Sequence, residues 1–453
     1  MKRHSARWIK TELGSAKLGD RRLDKRLAII VEAFANLPQA SIPQATSLWS
    51  KTKAAYRFLN NQKVTPEKIL QPHQQATQQR VGQKKVVLAV QDTTSLNYTH
   101  LPQTQGLGHI GTDPRSRGIV LHTTLALTPE RLPLGIIAQQ SWTRPHYGSA
   151  KKRRKKSIDD KESQKWLHSL SATEELQNKI LQTQLINVAD RESDVYELFL
   201  QASRCRSKLL IRAAWDRRVD HPQKHLWTYL EAQPLAATRQ VLITRRKEKK
   251  QRTAQVEIRF AKVTLKPPRR NPSLSSLSLY TVYVNEPHPP RGEQALSWML
   301  LTTLEVHSAL RAIQVAQYYT VRFTIELFHK VLKSGCRVEQ RQLKSAQGLR
   351  RCLALDSLVA CRILSLTMLG RTVPDLPCSV IFEDHEWQSL YCFVHQTSCP
   401  PHSPPSLNEV IRWIARLGGF LGRKGDGHPG PIVLWRGLQR LSDISVAWIT
   451  FRR

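Results

Sequence analysis

The stretch YYTVRFTIELFHKVLKSG, residues 318–335, sets a single carboxylate, Glu326, among Tyr319, Arg322, Lys330 and Lys333. An α-helix turns about 100° per residue. Measured from Glu326, Tyr319 then falls at about +20°, Arg322 at about −40°, Lys330 at about +40° and Lys333 at about −20°. All five share a stripe about 80° wide. Val321, Ile325, Leu327, Phe328, Val331 and Leu332 occupy the far side. The spacing predicts one long amphipathic helix over 307–335, stopped by Gly335, with its apolar face buried and its polar stripe facing a site. Pairing of Glu326 with Arg322 and Lys330 at four-residue spacing is the ordinary reason for such charges. It leaves Tyr319 and Lys333 on the same line unexplained.

Two further acids stand at strand ends. KKVVLAVQDTTSLNY (84–98) reads as a buried strand that stops at Asp92, and TQLINVAD (183–190) as a buried strand that stops at Asp190. Open α/β sheets hold ligands at the carboxyl ends of their strands. A strand-end Asp also serves as a cap for the next helix, and Glu192 and Asp194 are candidate first-turn acids after Asp190. RGIVLHTTLALTP (117–129) and PLGIIAQQSW (133–142) read as strands. Residues 159–181 read as a helix with acids in its first turn, 192–204 as a helix and 207–215 as a strand. The order β-β-β-α-β-α-β predicts a mixed α/β core. Short alternating strands over 216–296 predict an inserted β subdomain, after which LSWMLLTTLEV (296–306) returns to the core. The apolar run 349–371 reads as helix, the Pro/Ser/Cys-rich stretch 373–406 as a linker or irregular segment, and 408–451 as a last helical unit.

The 453 residues carry 70 Lys+Arg against 35 Asp+Glu, a formal net charge of +35 spread along the chain. Such an excess suits a protein that neutralises a row of phosphates, so nucleic acid is the expected partner. Residues 1–75 read as basic helices, with Arg21, Arg22, Lys25 and Arg26 around one apolar stripe and Lys53 and Arg57 beside Trp49, Tyr56 and Phe58. Basic helices with aromatic anchors suit DNA backbone and groove contacts. The start MKRHSARWIKTELGS lacks the apolar run of a secretory signal. No stretch approaches the ~20 apolar residues of a membrane span. The seven Cys include no C-x-x-C pair; Cys392, His395 and Cys399 have a weak zinc-like spacing, but buried reduced thiols account for them better. The expected location is cytoplasmic, with the nucleoid.

Two Asp at strand ends and one Glu on a helix form a hard-oxygen donor set. Such a set suits two divalent ions about 4 Å apart, Mg²⁺ with Mn²⁺ as its substitute. The cations of the helix stripe then grip neighbouring phosphates, and the phenol donates to a phosphate oxygen.

Tyr319-x2-Arg322-x3-Glu326-x6-Lys333 resembles the Y-x2-R-x3-E-x6-K signature of the DDE transposases of the bacterial "insertion sequence four" family. VQDTTSL and VADRESD resemble the segments around that family's first and second catalytic Asp, here Asp92 and Asp190. AKLGDRRLDKRL, AAYRFLNNQKVTPEKIL, SRGIVLHTTLAL, KESQKWL, WMLLTT and IARLGGF are similar to its transposon-five-like branch, so the resemblance runs from about residue 8 to the end. It implies a helical DNA-binding domain over 1–75, an RNase H-like catalytic domain over 76–372 with the 216–296 insertion, and a linker and helical dimerisation region over 373–453. It implies a homodimer that binds terminal inverted repeats, cuts the ends through a hairpin intermediate and joins them to target double-stranded DNA. Asp92, Asp190 and Glu326 would be the metal ligands. Tyr319, Arg322 and Lys333 would bind the phosphate of a flipped base, Trp298 would cradle that base, and Arg212 would contact phosphate. Tyr196 stands where the branch carries a His, and the basic runs 151–156 and 245–252 and the Cys/Pro-rich stretch 373–406 have no counterpart. The alternatives are a catalytically inactive, transposase-derived DNA-binding protein or inhibitor, which has no need of three acids, and a host nuclease of the same fold.

Overall fold

The computed structural model describes residues 7–144, 162–243 and 252–451. The basic run 151–156, the first-turn acids at 159 and 160 and all but the last residue of 245–252 lie outside them.

Apolar runs of alternating or continuous character build one mixed sheet of ten strands. Strands β1 (Val86–Asn97), β2 (Gly108–His109), β3 (Arg117–Leu127) and β4 (Pro133–Trp142) form an antiparallel group in which β3 lies between β1 and β4. β5 (Gln184–Ala189) and β6 (Lys208–Arg212) follow parallel to β1. Helix 164–179 crosses from β4 to β5, and helix 196–202 from β5 to β6. Three antiparallel strands continued by two parallel ones, with crossover helices, are the arrangement of an RNase H-like core.

The β-rich segment 216–296 does not stand apart from this sheet. β7 (Ala237–Ile243), β8 (Arg252–Leu265) and β9 (Leu277–Asn285) extend it, because β10 (Ser297–Thr302) pairs β6 on one side and β9 on the other. β1 also runs past Asp92. Its parallel ladder with β5 ends at Val90 opposite Val188, but its antiparallel ladder with β3 continues to Asn97 opposite Gly118. The polar Thr93–Ser95 stretch is therefore strand, as β-branched Thr permits.

Among the described residues five helices precede the sheet: α1 (Arg7–Leu13), α2 (Arg21–Asn36), α3 (Ile42–Thr46), α4 (Trp49–Asn60) and α5 (Pro66–Val81). Asp20 caps α2 by accepting Arg22 N–H, and Thr65 caps α5 by accepting Lys68 N–H. α5 runs through residue 75, so the helical region has no break there. A buried cluster fastens α1 to the core. Arg80 grips both carboxylate oxygens of Glu12 at 2.7 and 3.2 Å, and His73 Nδ1 lies 2.5 Å from Glu12. His73 Nε2 accepts Ile136 N–H at 3.0 Å, so that nitrogen carries no proton and the ring is neutral, although the carboxylate beside it favours a charged one.

The crossover helices are α6 (Gln164–Lys179) and α7 (Tyr196–Ala202), and α8 (Leu226–Glu231) lies in the β-rich segment. No acid occupies the first turn of α6; Glu162 lies before it and pairs with Arg144. The long helix expected over 307–335 is broken. α9 (Ala309–Val321) and α10 (Thr324–Lys330) are separated at Arg322 and Phe323, where bonds tighten to three-residue spacing. Beyond α10, Val331–Gly335 widens into a π turn, closed by Cys336 N–H donating to Val331 O at 2.9 Å. Gly335 lies against Trp435, whose ring would be 2.9 Å from a Cβ there.

α11 (Ala346–Thr372) is long and apolar enough to cross a membrane by length and composition, against the sequence expectation. It is a core helix here: 83% of its most apolar window is buried, and it packs on α2, α5 and β4. The segment 373–406 is no linker. It holds α12 (Asp384–His395), begun by a capping box between Glu383 and Glu386, and buries Cys378, Phe382, Trp387 and Leu390. These pack with α13 (Leu407–Leu417) and α14 (Pro431–Phe451). All seven Cys are free; Cys392 is buried and Cys399 exposed.

Candidate active site

Side chains alternate across a strand with a period of two. Leu88 and Val90 of β1, Ile186 and Val188 of β5, Leu210 of β6 and Leu300 of β10 all belong to the core cluster under α9–α11. Asp92, Asp190, Arg212 and Trp298 keep that parity and face the same side. The register brings them level: Val90 lies opposite Val188, Ala189 opposite Ile211, and Leu300 opposite Arg212. Asp190 follows β5 and is also a cap, its Oδ1 accepting Glu192 N–H at 2.9 Å. The strand-end and capping readings are both realised.

α9 and α10 cover this face. Arg322, at the break between them, is buried and donates to Glu326 at 2.6 Å, while the Glu326 side chain stays 48% exposed. Burial works against the Arg322 charge, but Tyr319, Glu326 and Asp92 outweigh it and raise its pKa. Burial pushes Asp92 up to about 6; the charges of Asp190 and Glu326 add to the rise, and Thr93 N–H and Arg322 oppose it. The three acids are thus electrostatically coupled. Among the described residues, however, no three His, Cys, Asp or Glu stand close enough to share one ion.

The predicted helix stripe is only partly present, because the break and the π turn alter the angular register. Tyr319 is 1% exposed and meets Trp298 edge-on at 5.3 Å, with Phe323 beside both. Trp298 is buried at the start of β10. Lys333 donates to Ser95 O at 2.7 Å, which ties the π turn to β1. Lys330 is exposed. Arg212 donates to Ser297 O at 2.8 Å and lies near Tyr319; burial, with Arg191 adding, lowers its pKa. Tyr196 points elsewhere, donating to the carbonyls of Ser275 and Leu265.

Two buried histidines beside Asp92 were not foreseen. His329 Nδ1 lies 3.7 Å from Asp92, and burial, with the charges of Lys333 and Arg322, pushes its pKa down to about 3. His122 lies opposite Thr93 and meets its hydroxyl at 2.9 Å; burial and Lys165 hold its pKa well below the usual range. His329 follows Glu326 by three residues, at about −60° on the same helical count, so it borders the polar stripe beside Arg322 and was a readable signal. His122 had none, since only strand pairing brings it to Thr93.

In the N-terminal region Arg21, Arg22, Lys53 and Arg57 are exposed and Arg26 half-buried, and their side chains make no hydrogen bond or ion pair among the described residues. Two family models match the chain. Residues 5–64 match a transposase DNA-binding family, and residues 358–450 match the Transposase Tn5 dimerisation domain. The matches support a Tn5-like transposase, with a DNA-binding region at one end and a dimerisation region at the other. The second begins inside α11. Among solved structures, a piggyBac transposase synaptic complex with hairpin DNA aligns at 9% identity and a TM-score of 0.35, over 80% of this chain and 72% of that one. A likeness that remote carries no argument.

Proposed function

We propose that the chain is a cut-and-paste DNA transposase of the DDE type, which binds terminal inverted repeats as a homodimer, cleaves the ends and joins them to target DNA. The observation that supports this reading is that Asp92 and Asp190 stand on neighbouring strands of one sheet face, under the helix that carries Glu326, where burial raises the Asp92 pKa and the charges of Asp190 and Glu326 add to the rise. The oxygens of these three acids are the donor type Mg²⁺ prefers, with Mn²⁺ as its substitute, although in the present arrangement the three are not close enough to share one ion. Asp92, Asp190 and Glu326 would hold two such ions. When bound, these supply a nucleophilic oxygen and neutralise charge on the leaving oxygen. Arg322 now holds Glu326, so ion binding and release of that pair are coupled in this reading.

The chain's own groups do the rest. Tyr319, Arg322, Lys330, Lys333 and Arg212 grip backbone phosphates, and Trp298 cradles an unpaired base whose stacking offsets the cost of extrusion. His329, 3.7 Å from the Asp92 carboxyl, lies beside it as part of the lining of the site. Arg21, Arg22, Arg26, Lys53 and Arg57 hold the duplex of the element's end. A hairpin intermediate belongs to the same reading.

The test uses the DNA flanking the coding gene. Incubated with Mg²⁺, the protein should nick at the inverted repeat and yield products joined to a target duplex. Nicking without joining favours a host nuclease. Tight end binding with no nicking in Mg²⁺ or Mn²⁺ favours the inactive binder.

A further inference from the structure

Trp215 is 66% exposed, whereas Trp166, Trp298, Trp387 and Trp435 are buried. Its backbone is nevertheless anchored. Asp194 Oδ2 accepts the N–H groups of Ala214 and Trp215 at 2.7 and 3.1 Å. Oδ1 accepts Arg217 Nε at 2.9 Å and a second Arg217 nitrogen, and a third Arg217 bond goes to Asp194 O. The Asp194 side chain is fully buried. A buried carboxylate is costly unless every acceptor is satisfied, and this one spends all its capacity on residues 214–217. The backbone that carries the exposed indole is thereby fixed, and among the described residues no ring or guanidinium is recorded stacking on that ring.

Its place is informative. Asp190 and Arg212 follow one pair beyond Ala189 and Ile211, and Ala213 N–H donates to Met299 O at 2.7 Å beside Trp298. Trp215 is therefore three residues past the Asp190–Arg212 row, at the bend that follows the strand and within about 10 Å of Arg212 even at full extension. Arg191 and Arg212 stand near enough to repel each other. Its chain neighbours Ala214, Asp216 and Arg217 make no broad apolar patch of the kind that docks a protein. A lone π-face beside cations suits a base whose phosphates are held next door.

We propose that Trp215 is a stacking platform for a nucleobase of the DNA strand held at the acidic centre, distinct from the cradle at Trp298. The inference rests on the DNA-processing reading above. It is tested with end-repeat duplexes carrying 2-aminopurine at successive positions, bound in EDTA so that nothing is cut. The unaltered protein should quench one position within about three nucleotides of the cleavage point, at about 3.4 Å per step. Trp215→Ala should lose that quench and bind about tenfold more weakly, the loss expected for one stacked base. Trp215→Phe should keep most of both, and Trp298→Ala should alter a different position. Unchanged affinity and quenching in Trp215→Ala overturn the proposal while leaving the proposed function standing. Failure of the unaltered protein to bind the repeats overturns both.

Discussion

Asp92 is a carboxyl whose burial and acidic neighbours both penalise its charge, holding its pKa near 6 rather than the ordinary 3.8. A group with a raised folded-state pKa binds protons more tightly in the native protein. Without a bound ion, its contribution to stability therefore falls as pH rises from about 4 to about 6 and stays low above. Asp92→Asn should accordingly be more stable than the unaltered protein at pH 7 by up to about 3 kcal/mol, with the advantage gone near pH 4. Denaturant unfolding in EDTA at both values measures it, and equal stability at pH 7 would refute the strain. The three acids were legible in the sequence because each follows or interrupts an apolar run. His122 was not, and His329 was readable only as a neighbour of the polar stripe, since their relation to Asp92 is made by tertiary packing and strand pairing.

Elements were legible where their apolar period was strong, as in α2 and β5, and illegible where a distant partner decided. The strand past Asp92 read as a turn because Thr93–Ser95 is polar; pairing with β3 overrides that. The place of 216–296 in the main sheet depends on β10, which no local pattern reveals. The break at Arg322 and the π turn escaped an ideal 100° count. α12 lay under a Pro/Cys-rich composition, although its E-x-x-E start was a readable signal. Two predictions belong here. Gly335→Ala pushes a Cβ into Trp435 and should cost about 1–3 kcal/mol by thermal or denaturant unfolding, the usual penalty of overpacking. Glu12→Ala should cost about 3 kcal/mol by leaving Arg80 and His73 without their partner. Burial raises the Glu12 pKa, but the hydrogen bond from His73 and the charge and hydrogen bonds of Arg80 outweigh it and hold the carboxyl well below the usual carboxylate range. Its stabilisation is thus present above pH 4.5 and lost as pH falls through the lowered folded-state pKa. Proteolysis should release α1 in that variant before the sheet unfolds.

At the scale of the molecule, the basic N-terminal helices are fastened to the core at α11 and the segment before it. Arg351 donates to Val64 O at 2.6 Å and Leu59 O at 2.9 Å, and Arg341 to Ala40 O at 2.6 Å. A charge of +35 on this body predicts that affinity for the repeats falls steeply with salt, each neutralised phosphate contributing about −0.9 to the log–log slope. Arg21→Gln, Lys53→Gln and Arg57→Gln together should flatten that slope by up to about three contacts' worth, as read by titrations across salt; an unchanged slope would place DNA elsewhere. The central claim is that Asp92, Asp190 and Glu326 act as one centre. Its most direct measurement is cleavage of labelled repeat DNA in Mg²⁺ by Asp92→Asn, Asp190→Asn and Glu326→Gln, each shown to bind that DNA normally. The account predicts cutting by the unaltered protein and a loss of at least a thousandfold in every variant; normal cutting by any one of the three would contradict it.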